Sequence, residues 1–144
     1  MVVYTDGAAR GNPGPSASGY MIYENGKLLK SHAEYNGIAT NNYAEYKSIL
    51  IALKWCASHF DDLSDISIEL YSDSELVVRQ FNREYRIKSK ILKPMNYEIN
   101  ELAMKFRLVK FTNVKRENPY ISAVDRSLNL LLDGTPKSGT SKKL

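Results

Sequence analysis

Apolar residues near the N-terminus recur with a two-residue period, which predicts β-strands. Residues 2–5 form a short β-rich run, and residues 18–24 and 27–33 continue the same alternation. The last two segments flank an Asn25-Gly26 pair, which is among the strongest short signals for a hairpin turn. The first part of the chain is therefore predicted to form three strands, of which the second and third are a hairpin.

The period changes to that of a helix after residue 40. Residues 43–60 place apolar side chains at helical spacing, and Thr40, Asn41 and Asn42 before them are good capping residues. This predicts a long helix that begins near Asn42. The remaining elements are a strand over residues 66–71, helices over 74–81 and 94–107, a strand over 108–114 and a helix over 122–132. A hairpin followed by βα crossovers predicts a mixed sheet with helices packed on it.

The composition is that of one globular domain of 144 residues. We expect a domain over residues 1–132 and, because residues 133–144 are rich in Gly, Pro, Ser, Thr and Lys, a flexible C-terminal tail. Apolar stretches such as residues 49–53 are far shorter than the roughly 20 residues that a membrane span needs. No charged leader precedes an apolar run, and the single Cys56 excludes an internal disulfide, so we expect a reducing cytoplasm.

The net charge of +4 is unevenly distributed along the chain. Between residues 79 and 93 one acid, Glu84, accompanies six bases: Arg79, Arg83, Arg86, Lys88, Lys90 and Lys93. Such a concentration is a candidate binding surface for an anion, and nucleic acid is the commonest large one. The alternative is a solvated face without a partner.

Two strands end in the same way, in a hydroxyl residue, an aspartate and a small residue. These segments are Tyr4-Thr5-Asp6-Gly7 and Tyr71-Ser72-Asp73-Ser74. Functional groups collect beyond the carboxyl ends of parallel strands, so two neighbouring strands would hold Asp6 and Asp73 a few ångströms apart. For either aspartate alone, capping of the following segment is the alternative explanation.

Two further carboxylates lie near the starts of predicted helices. Glu45 is in the long helix and Asp125 is in the last one, where the helix dipole also accounts for an acid. Four carboxylates at one site would repel one another, and no Lys or Arg lies within three residues of Asp6 or Asp73. A pair of divalent ions would supply the countercharge, and oxygen ligands favour Mg²⁺ or Mn²⁺ over Zn²⁺.

Three motifs in this order resemble type 1 ribonuclease H. They are Tyr4-Thr5-Asp6-Gly7-Ala8-Ala9-Arg10-Gly11-Asn12-Pro13-Gly14, then Thr40-Asn41-Asn42-Tyr43-Ala44-Glu45, then Tyr71-Ser72-Asp73-Ser74. The resemblance implies a ribonuclease H-like α/β fold, a five-stranded mixed sheet with helices on both faces. It also implies endonucleolytic hydrolysis of the RNA strand of RNA–DNA hybrids by two metal ions, which leaves 5′-phosphate and 3′-hydroxyl ends.

The resemblance further implies which residues do this work. The catalytic and metal-binding carboxylates would be Asp6, Glu45, Asp73 and Asp125, with two Mg²⁺ ions or possible Mn²⁺, and Asp133 competes with Asp125 for the fourth position. The hybrid would contact Gly7, Arg10, Gly11, Asn12, Thr40, Asn41, Asn42, Ser74, Arg86, Lys88 and Lys90.

The chain departs from the family pattern in the loop before Asp125. Family members often carry a histidine there, whereas residues 114–124 have none, and Glu117 is the one acid in this stretch and a candidate auxiliary residue. The family's Asn four residues before the last aspartate is replaced by Ile121. Residues 83–93 are also too short for the basic helical handle of some bacterial relatives.

Two other function classes are weighed against a nuclease. A glycosidase could use two of these carboxylates as acid and base, but this leaves the basic segment and the Gly11–Asn12 loop without a role. A hybrid-binding module on a decayed nuclease fold would not need Asp6, Glu45 and Asp73 intact. We expect a monomer that needs no obligate protein partner and no membrane.

Overall fold

The structure, a computed structural model, describes residues 1–134. Its strands are β1 (Val2–Ala9), β2 (Gly14–Glu24), β3 (Lys27–Ala39), β4 (Ser67–Ser72) and β5 (Leu108–Asn113), and its helices are α1 (Asn41–His59), α2 (Glu75–Phe81), α3 (Leu92–Ala103) and α4 (Pro119–Asp133). The strands form one sheet in the order β3-β2-β1-β4-β5. β1, β2 and β3 pair in antiparallel fashion, whereas β4 is parallel to β1 and β5. The predicted five-stranded mixed sheet is confirmed.

Helices cover both faces of the sheet. The main core lies on the α1 side, where Ile22 and Leu70 of the sheet pack with Ile49 and Leu53 of α1, and all four are fully buried. On the other face, Leu128 and Leu132 of α4 form a smaller cluster with Ala17 of β2. Gly19 permits this approach, because a Cβ there would lie 2.9 Å from a methyl carbon of Leu128.

The first two strands are longer than the sequence predicts. The sequence predicts the first strand over residues 2–5 and the second over 18–24, but Asp6 to Ala9 continue β1 and pair with Gly19 to Ser16 of β2. The loop is thereby reduced to residues 10–13. The ladder of backbone hydrogen bonds thus extends through residue types that have a low propensity for strands.

Helix starts also differ from the prediction. The side chain of Thr40 caps α1 by accepting a hydrogen bond from the Tyr43 N–H. α4 begins three residues before the expected residue 122, because Asn118 caps it and Pro119 occupies its first position, where no N–H is needed. α3 begins two residues before Pro94.

The end of α4 differs slightly from the expected boundary between the domain and the tail. α4 includes Asp133, so the helix extends one residue into the segment that was expected to be a tail. Residues 135–144 lie outside the described part of the chain. Among the helices of residues 1–134, each is too short or too polar to cross a membrane.

Candidate metal centre

The parallel pairing of β1 with β4 brings two aspartates together at one edge of the sheet. Tyr4 of β1 is in register with Tyr71 of β4, and each aspartate follows its tyrosine by two residues. Asp6, within β1, and Asp73, directly after β4, therefore lie on the same face of the sheet. Asp6 is 5 % exposed and Asp73 is partly buried. The matching sequence of the two segments therefore corresponds to neighbouring positions in the fold.

Glu45 joins this pair from α1. It lies in the second turn of the helix and is almost completely buried, so the helix-dipole explanation for a first-turn acid does not apply. The Gly7 N–H donates a hydrogen bond to Glu45 Oε1 over 3.0 Å. One carboxylate oxygen from each of Asp6, Glu45 and Asp73 lies within 4.8 Å of the other two, a spacing that could hold a metal ion.

α1 approaches β1 this closely because residue 7 is a glycine. A Cβ at Gly7 would lie 2.2 Å from the carbonyl carbon of Ala44 and 2.4 Å from the Glu45 nitrogen. Any larger residue would push the helix, and the Glu45 carboxylate with it, away from Asp6. Gly7, predicted as a substrate contact, thus has a packing role.

Burial and mutual repulsion perturb all three carboxyl groups. Burial, with the charges of Asp73 and Asp125, raises the pKa of Asp6 to about 9. Burial and the charges of Asp6 and Asp73 raise the pKa of Glu45 well above its usual range, against the opposing Gly7 hydrogen bond. Burial also raises the pKa of Asp73. The three pKa values thus stay raised, and a divalent cation held by oxygen ligands would supply the positive charge that favours the ionised carboxylates.

Asp125 on α4 adjoins the cluster beside Asp6. Its charge and a side-chain hydrogen bond both contribute to the raised pKa of Asp6. Asp133, its competitor in the sequence, instead forms an ion pair with Arg10 and is exposed. Of the two late acids, Asp125 is therefore the one that the fold brings to the carboxylates.

Arg116 is a residue of this site that sequence reasoning missed. The positive charge of Arg116 lowers the pKa of Asp73 and partly offsets the effect of burial. The sequence has no Lys or Arg within three residues of either aspartate. Arg116 is far from Asp73 in sequence and acts on it from the loop before α4. Glu117, the residue predicted in this loop, is exposed and does not line the cleft described next.

The carboxylates line an open cleft of about 560 Å³. From the predicted substrate contacts it includes Gly7, Arg10, Asn41, Asn42 and Ser74, and it adds Arg116 and Asn129. A second groove, of about 710 Å³, is lined by Asn12, Thr40 and Asn42 together with the exposed Ile38 and Ile91. Asn42 lines both, so the second groove adjoins the cleft.

The RNase H family model matches residues 1–120, a range that contains Asp6, Glu45 and Asp73 and ends shortly before Asp125. The chain belongs to the RNase H family. Among curated relatives, ribonuclease HI of Halobacterium salinarum is 36% identical over 115 residues, which are 78% of this chain and 55% of that protein. The bifunctional protein Rv2228c of Mycobacterium tuberculosis is 29% identical over 98% of this chain and 38% of its own length. The chain thus spans about half the length, or less, of these relatives.

Solved structures of the RNase H family share the fold closely. LC11-RNase H1, isolated from compost, in complex with an RNA/DNA hybrid is 35% identical, with a TM-score of 0.85 over 92% of this chain and 96% of that one. RNase H1 from Halobacterium salinarum is 32% identical, with a TM-score of 0.84 over 93% and 98% of the two chains. The family resemblance of the three motifs is confirmed.

In this RNase H chain the loop after β1 is fastened to the start of α1. Asn12 Oδ1 accepts a hydrogen bond from the Asn41 N–H at 3.1 Å, and Asn41 Oδ1 accepts one from the Ala9 N–H at 2.9 Å. Gly11 has a φ of +98°, which favours glycine. Asn12 and Asn41, both predicted as substrate contacts, therefore belong to one hydrogen-bonded unit, which lines the cleft at Asn41 and the second groove at Asn12.

Most of the basic segment lies between α2 and α3, with Arg79 in α2 and Lys93 in α3. Arg86, Lys88 and Lys90 are exposed, as expected for side chains that could reach phosphates. Arg79 differs from them because it forms ion pairs with Glu75 and Glu84. The free positive charge of this segment is thus concentrated after residue 82.

Proposed function

We propose that this chain is an endoribonuclease that hydrolyses the RNA strand of RNA–DNA hybrids and leaves 5′-phosphate and 3′-hydroxyl ends. The observation that carries this proposal is the cluster of Asp6, Glu45 and Asp73, whose oxygens lie within 4.8 Å of one another in an open cleft. The family membership and the hybrid bound by LC11-RNase H1 support the substrate class.

The donor set fits divalent metal ions, and we propose two Mg²⁺ ions, with Mn²⁺ as a substitute. All candidate ligands are carboxylate oxygens, and burial raises the pKa values of Asp6, Glu45 and Asp73, with a further contribution from neighbouring carboxylates. Asp6, Glu45, Asp73 and Asp125 would hold the ions. When bound, two such ions stabilise the charge on the attacking and leaving oxygens of a phosphoryl displacement.

The remaining residues bind and orient the hybrid. Asn41 lines the cleft and Asn12, hydrogen-bonded to it, lines the second groove, where 2′-hydroxyl groups would distinguish RNA from DNA. Gly11, in the same loop, would contact the hybrid through its backbone. Thr40, Asn42 and Ser74 continue this surface along the strand backbones. Arg86, Lys88 and Lys90 contact phosphates of the DNA strand.

Glu117 is proposed as an auxiliary residue that holds the second metal ion or its water while product leaves. Its exposure in the loop beside Arg116 leaves it free to move towards the cleft. Glu117→Gln is then expected to lower the steady-state rate more than the single-turnover rate. Both rates unchanged would contradict this role.

A panel of labelled substrates tests the proposed function. Hybrid, duplex RNA, duplex DNA and an RNA–DNA junction are incubated with Mg²⁺ or Mn²⁺, with a metal-free control. We expect metal-dependent cleavage of the RNA strand in the hybrid. Asp6→Asn and Asp73→Asn should retain less than a few per cent of it, whereas Asp61→Asn, at an exposed aspartate, should retain all of it.

The same panel separates the competing classes. A hybrid that is bound but left intact with either metal would indicate a binding module, and cleavage that needs no metal would contradict the metal centre. We also propose that the chain acts as a monomer in the cytoplasm. The mass of the protein in solution, measured by light scattering with and without hybrid, tests whether it is a monomer. Cell fractionation tests the cytoplasmic location.

A further inference from the structure

Arg10 links the loop after β1 to the far end of α4. Its Nη2 donates to the backbone oxygen of Asn129 at 3.3 Å and to Asn129 Oδ1 at 3.1 Å. Its Nη1 forms an ion pair with Asp133. Arg10 was expected to contact substrate, but its guanidinium is engaged with two residues of a helix more than a hundred positions later in the chain.

Asn129 continues this chain of hydrogen bonds to Asp125. Its Nδ2 donates to the Asp125 backbone oxygen at 3.1 Å and to Asp125 Oδ2 at 3.2 Å. Because Arg10 supplies donors to the amide oxygen of Asn129, the amide nitrogen must face Asp125. Arg10 thereby fixes the orientation in which Asn129 donates to the carboxylate.

The series of hydrogen bonds from Arg10 through Asn129 ends at the carboxylate cluster. Asp125 interacts with Asp6 both by charge and by a side-chain hydrogen bond. The same loop is tied to α1 through Asn12 and Asn41, so it is in contact with the two helices that carry Glu45 and Asp125. A shift of the loop would therefore act on both sides of the cleft.

We infer that Arg10 and Asn129 are positioning residues that hold the Asp125 carboxylate in place for metal binding. The inference rests on the proposed function, because it assumes that the carboxylate cluster holds divalent ions. Hydrogen-bond partners of metal ligands orient the ligand, and their loss typically weakens metal affinity about 10- to 100-fold. Hydrogen bonds from a guanidinium are charge-assisted, so Arg10 holds Asn129 more firmly than a neutral donor would.

A purely structural role is the alternative, in which Arg10 only fastens α4 to the loop. Asp133 allows the two roles to be separated. Asp133→Asn removes the ion pair of Arg10 but leaves the hydrogen bonds from Arg10 through Asn129 to Asp125. Asn100→Ala is a second control, because Asn100 also donates from Nδ2 to a side chain four residues earlier, on α3.

Calorimetric titration of the full chain with Mn²⁺, without substrate, is the test. Arg10→Gln and Asn129→Ala should each weaken Mn²⁺ binding about tenfold, whereas Asp133→Asn and Asn100→Ala should leave it within twofold. Arg10→Lys, which restores the charge with fewer donors, should recover part of the loss. Thermal unfolding is measured in parallel, and we expect Asp133→Asn to lower the melting temperature without this loss of affinity.

The results distinguish this inference from the proposed function. If wild type binds Mn²⁺ and Asp6→Asn does not, the result supports the proposed metal centre. An unchanged isotherm for both Arg10→Gln and Asn129→Ala would then overturn the positioning role, as would an equal loss in Asp133→Asn. Arg10 is exposed, so its variants should fold and the test does not depend on Asn129→Ala alone. If Asp6→Asn binds Mn²⁺ as wild type does, the proposed metal centre itself is wrong.

Discussion

The backbone N–H of Gly7 is hydrogen-bonded to the Glu45 carboxylate over 3.0 Å, and this contact joins the end of β1 to α1 at the cleft. The same glycine is the position at which the helix backbone comes closest to the strand, since a Cβ there would overlap Ala44. One residue therefore sets both the packing of α1 and the position of a candidate metal ligand.

Gly7→Ala should destabilise the protein and impair the metal centre together. The new methyl group meets backbone atoms rather than a flexible side chain, so we expect a loss of about 1–3 kcal/mol in the free energy of unfolding. Urea denaturation measures this loss, and hybrid cleavage measures the displacement of Glu45. Gly134→Ala is the control, because a Cβ there has its nearest neighbour at 3.8 Å. Equal stability of the two variants would contradict the packing role of Gly7.

Without metal, the stability of the fold should decrease as pH rises towards 9. The folded pKa of Asp6 is about 9 and lies above the unfolded value, near 3.9, so between these pH values the folded state binds a proton that the unfolded state has lost. The free energy of unfolding therefore falls over this window.

Asp6→Asn tests this pH dependence. In EDTA, we expect the variant to lose less stability than wild type between pH 5 and pH 8, by more than about 1 kcal/mol, because the amide does not ionise. Urea denaturation at several pH values gives the comparison, with Asp61→Asn as the control. If the free energy of unfolding depends on pH in the same way in wild type and Asp6→Asn, the Asp6 carboxyl group is not the source of that dependence.

Arg116→Gln should shift the acidic limb of the pH–rate profile to higher pH. The guanidinium lowers the pKa of Asp73, so its removal lets the carboxyl group keep its proton to a higher pH. We expect a lower rate near pH 6, with partial recovery above pH 8. Lys115→Gln, at an exposed base of the same loop, is the control. An acidic limb at the same pH in Arg116→Gln and wild type would argue against this contact.

The basic segment should determine the salt dependence of hybrid binding. If Arg86, Lys88 and Lys90 contact phosphates, the triple variant to Gln lowers the slope of log affinity against log salt by about 2–3, at roughly 0.7–0.9 per contact. Arg79→Gln, whose guanidinium is already paired with Glu75 and Glu84, should leave the slope unchanged. Cleavage of bound substrate should change little in both variants. A wild-type slope in the triple variant would identify the segment as a solvated face.

Much of the fold could be predicted because local patterns and tertiary structure agree. The alternation before residue 40 and the helical period after it give the element order, and the repeated strand endings place Asp6 beside Asp73 once β1 and β4 are neighbours. Strand ends were less predictable. Gly7 to Ala9 have the composition of a turn, but their backbone groups pair with β2, which the residue types do not reveal.

Contacts between distant parts of the chain account for what the sequence did not show. Arg116 acts on Asp73, and Arg10 reaches Asn129 and Asp133, through the packing of loops against α4 rather than through spacing. Asp125 and Asp133 are both acids on one helix, and the choice between them depends on which side of α4 faces Asp6. Such choices need the three-dimensional placement of the helix.

The sheet order β3-β2-β1-β4-β5 has a consequence for the synthesis of the chain on the ribosome. The first three strands can pair as soon as they emerge, but β1 gains its second neighbour only when β4 follows α1. Arg10 contacts Asn129, 119 positions later, only after α4 has been made. A nascent chain that lacks α4 has neither Asp125 nor Asn129 and Asp133, the two α4 residues that contact Arg10. The last helix therefore adds the fourth candidate carboxylate, and a chain released before α4 would lack it.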